Sequence, residues 1–383
     1  MTGKMEVYSK KVIVAGHICL DVAPVFDVPQ GGISDLLVPG RLLPMDGIDI
    51  HTGGCVANTG LAMKLLGADV TLLGKIGRDE FGSLVLQILQ KYGYDGSSDM
   101  IISEGDTTSY SVVLNVPGND RIFLHDPAAN NTFCSDDVDF AEREDTALFH
   151  FGYPPLMARM YESDGEELVK LFQKASRMGI ATSLDLAAVD GNGPAGEADW
   201  KRILERVIPY VDFFLPSAEE LCYMLDRERF DEWRKRAGGD DITKHLDIMR
   251  DVKPLADQLM RMGAKVVLIK CGVAGLYYQT ASADVLSGIG KNAGLRIQDW
   301  CGREGLEACY IPDCVRSSTG AGDTCIAAFL TAMLEQKKFE RCIQLAAAAG
   351  ACCVTSYDAL SGLISLEKME EKIEAGWQKM GRQ

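Results

Sequence analysis

An α/β fold with a mostly parallel central sheet flanked by helices, plus a small β lid, is the class this sequence predicts. Three observations carry it. Short apolar, β-branched runs recur along the chain: "KVIVAG" (11–16), "VTLLGKIG" (70–77), "ALFHFGY" (147–153), "ATSLDLA" (181–187), "DFFLP" (212–216) and "KVVLIKCG" (265–272). Helix-period segments separate them, and that alternation builds parallel sheets through helical crossovers. Two stretches break the rhythm: 18–52, rich in Gly, Pro and Asp, and "SYSVVLNVPGNDRIFLH" (109–125), which reads as a hairpin folded at Pro117-Gly118-Asn119-Asp120.

Taken in order, the first run is a strand and no secretion signal, because His17 and Asp21 interrupt its apolar core. "VANTGLAMKLLGA" follows as a helix, with Leu61, Leu65 and Leu66 on one face and Gly67 as a left-handed cap. Residues 226–252 are densely charged and predict a surface helical insertion, while 281–308 predict a long irregular one. "LAAAAGACCV" (345–354) has about half the roughly 20 residues of a membrane span and reads as a buried helix. With no repeat or Pro/Ser-rich linker, the expectation is one core domain over 1–383, its lid formed by about 18–52 and 108–127.

The composition narrows the function classes. The chain has 383 residues, 47% hydrophobic and 25% charged, which is ordinary for a globular protein with a sizeable core. Its formal charge of −16 argues against a nucleic-acid partner, since phosphate backbones are bound by dense Lys and Arg. No membrane partner is expected either. Twelve scattered cysteines without a CxxC predict free thiols in a reducing cytoplasm.

The stretch "SSTGAGDT" (317–324) holds the most chemistry. After it, Ile326, Phe329, Leu330, Met333 and Leu334 fall on one helical face, which puts Gly320 to Asp323 at a helix N-terminus. Unpaired N–H groups there attract anions, and small residues let a phosphate come close. An acid in the first turn is also ordinary capping chemistry, so Asp323 alone does not decide the matter. "HTGGCVANTG" (51–60) is a second glycine-bearing turn before a helix, with Asn58 placed for a polar contact. "GADVTLLGKIGRDEFG" (67–82) adds glycines around an apolar strand.

Together, in this order, these segments resemble the ribokinase-like (PfkB) family of carbohydrate kinases from about residue 11 to about 375. "SSTGAGDTCIAAFL" is similar to the family's C-terminal signature over its whole length. "GGCVAN" resembles the N-terminal glycine pair and asparagine more loosely, because Val56 stands where a small residue is usual. The resemblance implies Asp323 as the catalytic base that deprotonates a sugar hydroxyl as it attacks the γ-phosphate of ATP. It implies Gly320, Ala321 and Gly322 as the anion hole. This agrees with phosphoryl transfer by positioning and electrostatics, and a carboxylate at a helix N-terminus is expected to be ionised near neutral pH.

By the same likeness Asp21, at the end of "GHICLD", is the substrate-binding acid, and Gly54 and Asn58 make further sugar contacts. Asp185 in "SLDLA" ends a strand on the ligand side of an open α/β sheet. "LPSAEEL" (215–221) resembles the family's Asn-x-x-Glu stretch, so Glu220 is expected to organise Mg2+ through water, with Ser217 in the asparagine's place; Ser217 and Glu220 also read as a capping box. "IKCGVAGLYY" (269–278) resembles the strand-turn-strand that grips ATP. There Gly272 and Gly275 give the backbone room and Lys270 is either a phosphate ligand or a solvated lysine. Ser317 replaces an aspartate that in many relatives helps bind a monovalent cation, so potassium activation is not carried over.

The expected partner is a small sugar or polyol, and a homodimer through the lid is an open possibility. Two other readings stay open: a nucleoside kinase, and a catalytically silent sugar-binding regulator of the same fold. A dinucleotide oxidoreductase and a P-loop enzyme lack their motifs, GxGxxG after a strand and GxxxxGK[ST].

Overall fold

In a computed structural model of the chain, residues 10–26, 38–96, 98–116 and 122–381 are described. The Pro117 to Asp120 turn and part of 18–52 lie outside them.

Eight strands form the main sheet: β1 (Lys11–Gly16), β4 (Asp69–Leu73), β9 (Thr146–Gly152), β10 (Ala181–Leu184), β11 (Phe213–Phe214), β12 (Val266–Lys270), β13 (Leu276–Thr280) and β14 (Glu304–Glu307). Their order is β14-β13-β12-β11-β10-β9-β1-β4, parallel from β12 to β4 and antiparallel at the β13 and β14 edge. The central strands are buried on both faces. In β1, Val12 and Val14 enter one core cluster and Ile13 and Ala15 the other, which explains their continuous apolar runs.

Ten α-helices of at least eight residues are described: α1 (Cys55–Leu65), α2 (Glu80–Lys91), α3 (Ala158–Arg177), α4 (Trp200–Val207), α5 (Ala218–Leu225), α6 (Arg227–Ala237), α7 (Lys253–Arg261), α8 (Ala321–Leu334), α9 (Phe339–Cys353) and α10 (Leu366–Glu374). One core cluster takes in residues of α1, α8 and α9, and the other takes in residues of α3, α4, α5 and α7. α8 is buried around its whole circumference, not along one stripe, from Asp323 to Leu334. The alanines of α9 fit this layer, because small side chains permit close helix packing. Leu65 does not share the buried face of Leu61 and Leu66: it is 47% exposed against 0% and 6%. No helix among the described residues is long and apolar enough to cross a membrane.

"VTLLGKIG" is divided at Gly74. β4 stays in the main sheet, and β5 (Lys75–Gly77) pairs with β6 (Ile101–Ser103) in a sheet of two. A separate four-stranded sheet has the order β3-β2-β7-β8, from β2 (Cys19–Pro24), β3 (Ile48–Gly53), β7 (Tyr110–Leu114) and β8 (Ile122–Asp126). Only His17 and Ile18 separate β1 from β2.

The two stretches read as insertions differ in depth. α6 and the turns after it are largely exposed, with Trp233 turned inward. Residues 281–308 instead reach the core: β14 is the sheet edge, and Trp300, 1% exposed, packs edge-on against Phe213, Phe329 and Phe339 at ring distances of 6.0, 5.6 and 5.1 Å.

Candidate active site

The C-terminal ends of β1, β9, β10 and β12 and the N-termini of α1 and α8 bring the polar groups together. Gly320 caps α8 with φ 75°, and a Cβ there would stand 2.2 Å from the Cβ of Ala359. Only glycine meets both demands. Among the described residues the N–H groups of Gly322 and Asp323 donate to no protein acceptor, as the first turn of a helix dictates.

Asp323 sits in that turn, 4% exposed. Its Oδ2 accepts from Asn58 Nδ2 at 3.1 Å and its Oδ1 from Thr59 Oγ1 at 3.0 Å. Tyr153 Oη donates to both oxygens, 2.8 Å from each. Burial pushes Asp323 above its usual value, while Lys270 and the three donors pull it back. A carboxylate with a raised pKa holds a proton more strongly.

Lys270, at the end of β12, is no solvated surface lysine. Its Nζ lies 2.6 Å from Asp185 Oδ1, with the two side chains 12% and 2% exposed. Its outer carbons and Nζ also lie 3.4–3.5 Å from where a Cβ on Gly322 would stand, so the cation is beside the α8 N-terminus. Burial pulls the Lys270 ammonium down, but Asp185, Glu220 and Asp323 more than offset it and the net shift is upward. Burial pushes Asp185 up to about 7 against the pull of Lys270, with Glu220 and Asp323 adding to the rise.

Ser217 and Glu220 form the capping box of α5: Ser217 N donates to Glu220 Oε2 at 3.0 Å, and Glu220 N donates to Ser217 Oγ at 3.4 Å. Ser217 also bridges to Lys270 across the strand ends. The room left at Gly272 and Gly275 is filled by protein, since a Cβ would meet Thr243 Oγ1 at 2.3 Å at the first and Glu307 O at 2.1 Å at the second.

The lid contributes a cross-strand row. Register places His51, Asp21, Ser111 and His125 side by side on β3, β2, β7 and β8. Asp21 Oδ2 is 3.8 Å from His51 Nε2, and Asp21 Oδ1 accepts from Cys19 Sγ at 3.3 Å. Ser111 Oγ is 3.0 Å from His125 Nδ1, and His125 Nε2 is 3.3 Å from His17 Nε2. His17 then faces Tyr153, with ring centroids 6.1 Å apart. Burial lowers both His17 and His125, so the pair is uncharged at neutral pH, and burial raises Asp21. Gly53 leaves space for this carboxylate, because a Cβ there would lie 2.3 Å from Asp21 Oδ2; Gly54, at φ 86°, turns under His17.

The structure thus gathers Gly320, Ala321, Gly322, Asp323, Gly54, Asn58, Lys270, Asp185, Ser217 and Glu220 around the C-terminal ends of the parallel strands, with Asp21 on the adjoining lid sheet. Thr59, Tyr153, His17, His51, Ser111 and His125 are additions that sequence reasoning missed. The alternation of β2 and β3 held a signal for His51. Nothing local marked Tyr153.

Residues 11–365 match the profile of the pfkB family carbohydrate kinases. Fructokinase-1 of Zea mays is 23% identical over 330 residues, 84% of this chain and 88% of that protein. Ribokinase of Arabidopsis thaliana, solved with ribose and ATP, superposes with a TM-score of 0.67 at 18% identity over 95% of this chain and 98% of its own. An E. coli protein assigned provisionally as ribokinase II, solved with ATP and Mg2+, gives 0.67 at 19% identity over 96% and 99%. The architecture described above is the ribokinase-like fold.

Proposed function

Since the chain belongs to the pfkB family of carbohydrate kinases, we propose that it moves the γ-phosphoryl group of ATP onto a hydroxyl of a neutral sugar or related polyol, a primary hydroxyl by family likeness. The observation that carries this reading is the meeting of a buried carboxylate, Asp323, with a buried cation, Lys270, at one helix N-terminus.

Asp323 takes the proton as the acceptor oxygen forms its bond to γ-phosphorus and the bridging bond to the β-phosphate oxygen breaks, releasing ADP. The free N–H groups at Gly322 and Asp323 and the Lys270 ammonium meet the charge on the moving group. Mg2+, when bound with the nucleotide, neutralises phosphate charge; Glu220 is an oxygen donor of the type it takes and would hold it through water. Among the described residues no group of three His, Cys, Asp or Glu side chains is placed to hold a metal ion. Closure of the lid excludes water from the transfer.

Asp21 faces imidazoles, a thiol and a hydroxyl, a set that accepts from and donates to neighbouring alcohols. A fixed carboxylate there disfavours an acceptor bearing its own carboxylate or phosphate. Asp21→Ala is expected to raise the acceptor KM by roughly 10- to 100-fold and that for ATP by less than about twofold. Equal losses for both ligands count against the assignment.

The test of the whole reading is ADP release over a panel of sugars and nucleosides. Turnover on neutral sugars supports it and turnover on nucleosides alone replaces the acceptor class. Sugar-dependent thermal stabilisation with no turnover on any acceptor marks a silent binding protein.

The lid also exposes Ile48, Ile50, Ile122 and Leu124 on the face opposite the Asp21 row, an apolar surface suited to a second copy of this chain. Leu124→Asp is expected to shift sedimentation from a dimer to a monomer, and a wild-type monomer removes the proposal. All twelve cysteines are unpaired, as suits a reducing compartment such as the cytoplasm.

A further inference from the structure

Asp323 is fully occupied before any acceptor arrives. Asn58 and Thr59 come from consecutive positions on α1, a helix buried between the sheet and α8. Tyr153 comes from the turn after β9, where its backbone is left-handed at φ 68°, ψ 41°. A non-glycine residue held there is strained. Its hydroxyl is equidistant from both carboxylate oxygens and so lies on the plane that bisects them. An alcohol giving its proton to Asp323 comes within about 2.6–3.2 Å of one carboxylate oxygen, a range that the Tyr153 hydroxyl already occupies at both.

We propose that Tyr153 is a positioning residue whose hydroxyl stands in the place of the acceptor hydroxyl, keeps water off Asp323 in the empty protein, and is displaced when the acceptor binds. The inference rests on the kinase reading above. Of the three donors, Tyr153 is the one held from a turn after a strand, whereas Asn58 and Thr59 are held from α1. Without such a cover, Asp323 would accept a proton from water as the water oxygen bonds to γ-phosphorus and the β–γ bridging bond breaks, giving ADP and phosphate. A kinase that lacks acceptor would then waste ATP.

The test is Tyr153→Phe, which keeps the ring over His17 and removes only the donor. Expected are a rise of about tenfold in acceptor-independent ATP hydrolysis and a fall of several-fold in acceptor KM, with the ATP KM unchanged. Carboxyl-13C NMR supplies a readout independent of turnover, with the Asp323 resonance assigned by its loss in Asp323→Asn. Tyr153→Phe should move that titration upward, since the lost donor favours the ionised form. The other groups that face Asp323 stay in place: Lys270 on β12, Asp185 after β10, and the thiols of Cys55 on α1 and Cys353 on α9.

If the wild-type protein phosphorylates nothing, the kinase reading fails while the carboxyl titration still reports on Tyr153. Unchanged hydrolysis, or a loss of kcat with no fall in acceptor KM, overturns the proposal. So does an unmoved Asp323 titration. Should Tyr153→Phe not fold, Tyr153→Leu supplies the same comparisons.

Discussion

Asp323→Asn is expected to lower kcat by at least about 10³-fold while ATP affinity, measured by calorimetry, stays within about twofold. The amide keeps the volume and one acceptor oxygen, so Thr59 or Asn58 retains a partner and the helix start survives. What disappears is the capacity to hold the acceptor's proton. The pH profile gives a second readout. Asp323 is raised by burial and works as the ionised form, so kcat/KM should fall as pH drops through a value above the ordinary carboxylate pKa of about 4. Asp185, at about 7, titrates nearby. An acid limb that persists in Asp185→Asn therefore belongs to Asp323. Near wild-type turnover in Asp323→Asn would remove the base from the mechanism.

Lys270→Met should rank next, with a loss of roughly 10²- to 10³-fold in kcat/KM for ATP, the scale of removing one preorganised charge-stabilising group. The variant also leaves Asp185 without its partner, and breaking a buried pair costs about 3–5 kcal/mol. Stability and catalysis are separated by Lys270→Met combined with Asp185→Asn, which removes both charges. Thermal unfolding of the double variant should recover most of the lost stability while kcat/KM stays low. Recovery of both quantities together would make Lys270 a structural residue only.

The parts of this site that were legible share one property: their signal is local. Gly320 to Asp323 precede an apolar helix, Asp21 closes the first apolar run, and Ser217 and Glu220 sit at capping-box spacing. The lid strands were readable because Gly and Pro interrupt the helical rhythm. Residues 281–308 read as irregular because their buried side chains, Leu286, Ile289, Ala293 and Trp300, come singly between polar neighbours with no helix or strand period. Tyr153 was invisible for a different reason. Its role comes from a hydroxyl brought to Asp323 across 170 residues of chain, and no pattern around "FGYPP" encodes that meeting. The histidines at 17 and 125 are similar: each looks isolated, and only the pairing of β7 with β8 and the short link from β1 to β2 makes them neighbours.

Long sequence separation has a consequence for how activity returns after denaturation. Asn58 and Thr59 stand 265 and 264 positions from Asp323 in the chain, and Lys270 stands 85 from Asp185. No fragment that lacks either half can assemble these contacts, and loop closure over such spans comes late in folding. Regained turnover in a refolding experiment therefore clocks the final docking of α8 on α1, later than the recovery of helical signal. A nascent chain stays inert toward nucleotide until its last quarter has emerged.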